Sequence, residues 1–215
     1  MRYQPIRPSQ SLVTAGRVFH LSPPEVPLLW QISHRLIRLS SGRVTLALIA
    51  VLTAFIVFVL PAQSEAARLA GHGAGSPDTS LWYSAGDLYR MAEAYGQDGR
   101  QAYVQARFTF DIVWPIVYVS GFTAALSWLL ARLAAPVSRL RLLNLLPALG
   151  GLLDLGENVS TSMVMLRYPA STPVVDWLAP VFTLTKWACL GAAMVVLAGG
   201  LLLLAMRRFT RGRLV

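Results

Sequence analysis

The sequence predicts an all-α, polytopic membrane protein: a four-transmembrane-helix bundle with an outer amphipathic helix between spans one and two. Three observations carry this. Of 215 residues, 55% are hydrophobic and only 13% charged, outside the usual range of a soluble globular domain. Crossing a bilayer takes roughly 17 to 25 apolar residues, and four such runs occur, at about 44–61, 108–131, 142–166 and 177–206. The arginines divide unevenly around these runs, as the loops of an inserted protein do.

On one side fall Arg2, Arg7, Arg17, Arg35, Arg38 and Arg43, then Arg132, Arg139 and Arg141, then Arg207, Arg208, Arg211 and Arg213. On the other fall Arg68, Arg90, Arg100, Arg107 and Arg167, balanced by Glu65, Asp78, Asp87, Glu93, Asp98 and Asp176. Positively charged loops stay inside, so both termini are expected in the cytoplasm and the chain in the cell (inner) membrane. The net charge of +9 is thus a topology signal, with some attraction to anionic lipid, and no nucleic acid is expected as partner.

Residues 1–43 read as a cytoplasmic arm. Up to about residue 27 it has no helical period and carries "SPPEVP"; from Leu28 the residues Leu28, Leu29, Ile32, Leu36 and Ile37 alternate with Gln31, His34, Arg35 and Arg38. That pattern predicts a short helix on the membrane surface or a packing contact under the bundle. The membrane domain, 44–206, opens with span one. Small residues follow it in "PAQSEAA", but the run is longer than a signal core and has 43 residues before it, so a retained helix is expected.

In the outer segment, 62–107, "GHGAGSPDTS" reads as loop. Ser84 and Asp87 mark a helix start, and Leu88, Met91, Ala92 and Tyr95 repeat at helical spacing up to Gly96. "GQDGR" reads as a turn, after which "QAYVQARFTFD" is expected to run unbroken into span two. This amphipathic helix either caps a cavity or anchors at headgroup depth through its tyrosines. Pro115 predicts a bend in span two; Pro147, Gly150 and Gly151 permit a kink or close contact in span three. No internal repeat links the two span pairs, which weakens a transporter reading. The chain closes with a basic cytoplasmic tail, 207–215.

Span three carries charge where charge is costly. Residues three and four apart share a helix face, so Asp154, Glu157, Asn158 and Thr161 form one stripe, faced on span two by Asp111, Pro115 and Tyr118. Span four adds Thr183 and Lys186, the only lysine beside eighteen arginines. Counting from the hairpin turns sets Tyr118 opposite Asp154 and Lys186 level with Gly156, in the outer half of the membrane. Each charge costs roughly 2.5 to 3.5 kcal/mol at a helix centre, so Asp154, Glu157 and Lys186 in isolation would cost on the order of 8 to 10 kcal/mol. They are expected to form a hydrogen-bonded cluster, with Asn158 and Tyr118 satisfying the remaining lone pairs.

The site so predicted has Asp154 or Glu157 as general acid or base and Lys186 as electrostatic partner, with Asp111, Tyr118, Asn158, Thr161 and Arg107 lining a bound molecule. The occupant would be a membrane lipid or small amphipathic ligand, under the segment 84–107. Proton or ion movement is a second reading, but inward of Asp154 only Asn144, Ser127 and small residues continue the path. A third is a non-enzymatic subunit or assembly factor with a membrane protein partner, whose ion network holds the fold. The "NVS" at Asn158 matches a glycosylation sequon but lies too deep for it.

No metal and no cofactor is expected. His20, His34 and His72 all lie outside the spans, and the single Cys189 forms neither an internal disulfide nor a metal cluster. For the same reason the cysteine pair of a quinone-linked thiol oxidoreductase is missing. The stretches "YRMAEAYGQDGRQAYVQARFTFDIVWPIVY" and "LLDLGENV" resemble a family of uncharacterised bacterial four-span integral membrane proteins, from about Tyr83 through Lys186. The resemblance implies an architecture and no activity.

Overall fold

The structure is a computed structural model and describes residues 27–212. The expected arm up to residue 26 and the tail residue Arg213 lie outside the described residues. Within them the chain is all-helical, with no strand. Helix α1 (Leu28–Leu39) leads into α2 (Gly42–Ala54), which a π-helical turn at Phe55–Val59 joins to α3 (Leu60–Ala70). Then follow α4 (Ala85–Arg107), α5 (Phe110–Leu133), α6 (Leu146–Arg167) and α7 (Val175–Gly212), with short 3-10 helices at Pro77–Thr79 and Arg139–Leu145.

Among the described residues, three stretches are long and apolar enough to cross a membrane: Gly42–Ala70, Ala85–Leu133 and Val175–Thr210. Helix α6 is not among them. Its 22 residues give about 33 Å of length, but Gly150, Gly151, Asp154, Gly156, Glu157, Asn158 and three consecutive hydroxyl residues from Ser160 dilute its apolar content. The distribution of that content is inverted relative to a water-soluble helix. Leu149, Leu152, Leu155, Val159, Met163 and Leu166 are exposed, while Asp154, Glu157, Asn158, Thr161 and Ser162 are buried. An apolar outward stripe and a polar inward one suit an apolar surrounding medium.

The α2–α3 rod runs on past Pro61 to Ala70, beyond the end expected for span one near residue 61 and up to the expected loop at "GHGAGSPDTS". Proline lacks the amide hydrogen of an α-helical turn, and its ring crowds the carbonyl four residues back. The widened turn at Phe55–Val59, just before Pro61, absorbs both effects without ending the helix. Helix α2 packs on α5 at Gly121, where an added Cβ would lie 3.0 Å from Leu52 Cδ2.

Ser84 caps α4 in a reciprocal capping box with Asp87. Gly96 interrupts α4 at φ 61, a backbone angle that favours glycine. The break expected at "GQDGR" thus falls on its first residue, and the chain is helical again from Gln97; a second break, where an unbroken run was expected, falls at Phe108 and Thr109. Separating α4 from α5 there lets α4 pack across α6 while α5 descends beside it.

Pro147 sits in the first turn of α6, where no amide hydrogen is needed, so it starts the helix instead of kinking it. Gly150 and Gly151 permit close approach on two sides: a Cβ at Gly151 would lie 2.6 Å from Val119 Cγ2, and one at Gly150 3.0 Å from Leu190 Cδ2. Helix α6 is thereby clasped between α5 and α7. At its N-terminal end Asn144 donates to Ser127 Oγ at 2.9 Å and to the Ser33 carbonyl at 3.3 Å, while Ser33 Oγ donates to the Arg141 carbonyl at 3.0 Å. Helix α1 is thus docked by its polar edge, and Leu28, Leu29, Ile32 and Leu39 stay exposed.

Candidate functional site

The α6 stripe meets its expected neighbours. Asp154 and Glu157, one turn apart, both reach the ammonium of Lys186 on α7: Nζ lies 3.0 Å from Asp154 Oδ1 and contacts Glu157 Oε2. Tyr118 on α5 donates to Asp154 Oδ2 at 2.9 Å, so both oxygens of that carboxylate are engaged. Glu157 is fully buried, and its Oε1 has no hydrogen-bond partner among the described residues. Thr161 continues the stripe, donating to the Glu157 carbonyl at 2.9 Å and accepting from Tyr103 on α4 at 3.0 Å.

Asn158 has a different task from the lone-pair satisfaction expected of it. Its Nδ2 lies 3.4 Å from the backbone carbonyl of Asp111. That carbonyl would normally accept from the amide four residues on, but position 115 is proline and has none. The side-chain amide on α6 therefore answers a donor missing from α5.

A second ion cluster stands beside the first. Arg107, 4% exposed, places Nε 2.7 Å from Asp111 Oδ2 and Nη1 3.1 Å from Asp78 Oδ2, with its guanidinium 4.6 Å from the centre of the Tyr103 ring. Asp78 lies in the loop between α3 and α4 and also accepts from the Ser76 hydroxyl. Burial pushes the Asp78 carboxyl up, but Arg107 and Ser76 outweigh it and hold it below the ordinary aspartate value. Asp78 was not among the sequence candidates, since a lone acid after proline in a loop gives no periodic signal. Its position depends on packing of the loop: Tyr95 donates to the Gly75 carbonyl at 2.6 Å, and Gly71 lies so close to the Tyr95 ring that a Cβ would sit 2.7 Å from Cε1. Nearby, burial raises the Tyr83 phenol well above its ordinary value, keeping it protonated beside Thr183 at 3.1 Å.

Between the two clusters lies a cavity of about 780 Å³. The α2–α3 rod contributes Leu52, Ile56 and Leu60 to its wall, and α7 contributes Trp187, Leu190 and Met194. Phe110, Trp114, Tyr118 and Phe122 of α5 line it between them; Ser76 and Asp78 of the loop and Tyr103 and Arg107 of α4 complete it. Phe55, in the π-helical turn, stacks on Phe110 and Trp114 with centroids 5.8 and 5.7 Å away. Of the sequence candidates, Asp111, Tyr118, Asp154, Lys186 and Arg107 reach the cavity wall; Glu157, Asn158 and Thr161 lie behind it, in packed contact with α4, α5 and α7.

The cavity size is in the range of small-molecule sites, about 300–1,000 Å³, and an apolar lining with few convergent polar groups is typical of them. No protein-family model, curated protein or solved structure matches the chain. What the cavity accepts has to be read from its own shape and charge.

Proposed function

We propose that the chain is a four-span protein of the cell membrane, with both termini cytoplasmic, that binds or transforms a small amphipathic or lipid-like molecule in the cavity beside Asp154 and Lys186. In this reading α6 is span three and brings the number of spans to four, its exposed leucines and Met163 facing lipid and its acids facing the bundle. Helix α4 lies across the outer mouth, and the ion clusters sit in the outer half of the bilayer.

The observation that carries the reading is the cavity itself: a large, partly open space of mainly apolar lining with a carboxylate, an ammonium and a phenol converging on its wall. A purely structural ion network needs no such space at its flank. Asp154, with its proton-donating neighbour Tyr118, is the group placed to exchange a proton with an occupant.

Glu157 favours a second role for half of the network. It is enclosed, off the cavity wall, and paired with Lys186, as expected of an ion pair that fixes helix register in a non-enzymatic subunit or assembly factor. The deciding experiment is mass spectrometry of molecules retained by gently purified protein, repeated on Ala106→Trp, which fills the cavity from α4. A lipid-like molecule retained by the parent and lost from the folded variant is the expected result. Equal retention by both sinks the binding reading and leaves the structural one.

A further inference from the structure

The charges around the cavity do not cancel. Arg107 is shared by Asp78 and Asp111, and Lys186 by Asp154 and Glu157, so four carboxylates surround two cations. The Arg107 half is especially open to a further cation. Asp111, 7% exposed, lines the cavity; Arg107 engages its Oδ2, and among the described residues no group donates to its Oδ1. Unbalanced negative charge on an apolar wall is unfavourable. Protons, water entering through the open side or a positively charged occupant can meet it.

The wall is built for the occupant. Each cationic side chain on it is already paired: Arg107 and Lys186 as described, and Arg68 with Glu65 at 2.7 Å. An anionic head would find no free positive partner and would meet Asp111 and Asp154 directly. A positively charged head would instead meet the open oxygen of Asp111 beside the aromatic lining of Trp114, whose ring stacks on Phe55, and of Trp187, whose ring already carries the Lys186 ammonium at 5.6 Å. The apolar side chains of the α2–α3 rod and of α7 that line this partly open cavity, Leu52, Ile56, Leu60, Leu190 and Met194, offer an alkyl chain its surface.

We propose that the cavity takes a single-chain amphiphile with a positively charged head, an ammonium or guanidinium, held against Asp111 and Asp154. This rests on the amphiphile-binding reading above and adds the sign of the head group. The test uses full-length protein in nanodiscs of zwitterionic lipid and three ten-carbon probes with a terminal bromine: an amine, an alcohol and a carboxylate. Bromine quenches Trp114 and Trp187, and quenching that persists in the Trp114→Phe, Trp187→Phe double variant is subtracted as bilayer partitioning. Saturable quenching by the amine at a concentration at least tenfold below the alcohol, and none by the carboxylate, is expected. Asp111→Asn should abolish the tenfold preference; if that variant does not fold, the preference in the parent decides alone. Alcohol or carboxylate binding as tightly as the amine overturns the positive head while leaving an amphiphile site. Absence of saturable quenching by all three overturns the site as well.

Discussion

The Lys186 ammonium lies 3.0 Å from Asp154 Oδ1, and the same ammonium touches Glu157, so one cation from α7 joins two carboxylates on consecutive turns of α6. Removing it leaves two buried acids without a counter-charge. Lys186→Met is expected to cost about 3–5 kcal/mol, read as a lowered unfolding midpoint in detergent. Adding Glu157→Gln removes one of the stranded charges and should recover part of the loss. A double variant no more stable than the single one would show that charge pairing is not what Lys186 supplies.

Tyr118→Phe keeps the ring and deletes the donor to Asp154 Oδ2. A hydrogen bond to a charged group contributes about 1.5–3 kcal/mol, so a drop of that order is expected in denaturant unfolding. Because this phenol also lies on the cavity wall, the variant should retain less co-purifying lipid than the parent. Unchanged stability together with unchanged retention would remove Tyr118 from the site.

Two glycines separate packing from helix propensity. A Cβ at Gly99 would lie 2.4 Å from the backbone oxygen of Ala70, where α3 ends against α4. Gly99→Ala should therefore cost about 1–3 kcal/mol, the range of overpacked cores. Nothing lies within 4 Å of a Cβ at Gly191, and Gly191→Ala should be neutral or gain up to about 1 kcal/mol from lower backbone entropy in the unfolded chain. Thermal melts of the pair, run side by side, check the contrast.

The Asp78–Arg107 pair predicts an acid dependence. The folded-state value of Asp78 lies below its ordinary 3.8, so its ionised form contributes stability that is fully present above the ordinary value and is lost as pH falls through the lowered one. The parent should lose stability relative to Asp78→Asn below about pH 4, with a constant difference between the two at higher pH. Parallel curves throughout the acid range would show that Asp78 does not titrate with folding.

The buried stripe on α6 was legible because helical spacing alone puts Asp154, Glu157, Asn158 and Thr161 on one face, and hairpin counting brought Lys186 and Tyr118 to their level. Arg107 and Asp111, four residues apart, were within the same logic. Asp78 was not: its approach depends on the fit of Gly71 against the Tyr95 ring, a contact between segments that no periodicity encodes. The helix beyond Pro61 was not legible either: the apolar run that marks the span ends there, and only the backbone geometry reveals the widened turn that carries the helix past the proline. The break at Phe108 and Thr109 was hidden for a related reason: both neighbouring segments favour helix, and the change of direction is imposed by what each must pack against.

The π-helical turn at Phe55–Val59 also sets the phase of everything beyond it. A turn of this kind holds one residue more than its neighbours, and one residue of an α-helix corresponds to about 100° of rotation. Below it the rod offers Leu52 to Gly121; above it, Gln63, Ser64 and Ala67 look onto the cavity. Excising a single residue there, with no change in composition elsewhere, would swing that upper stripe off the cavity, so in this helix residue count carries information that residue identity does not.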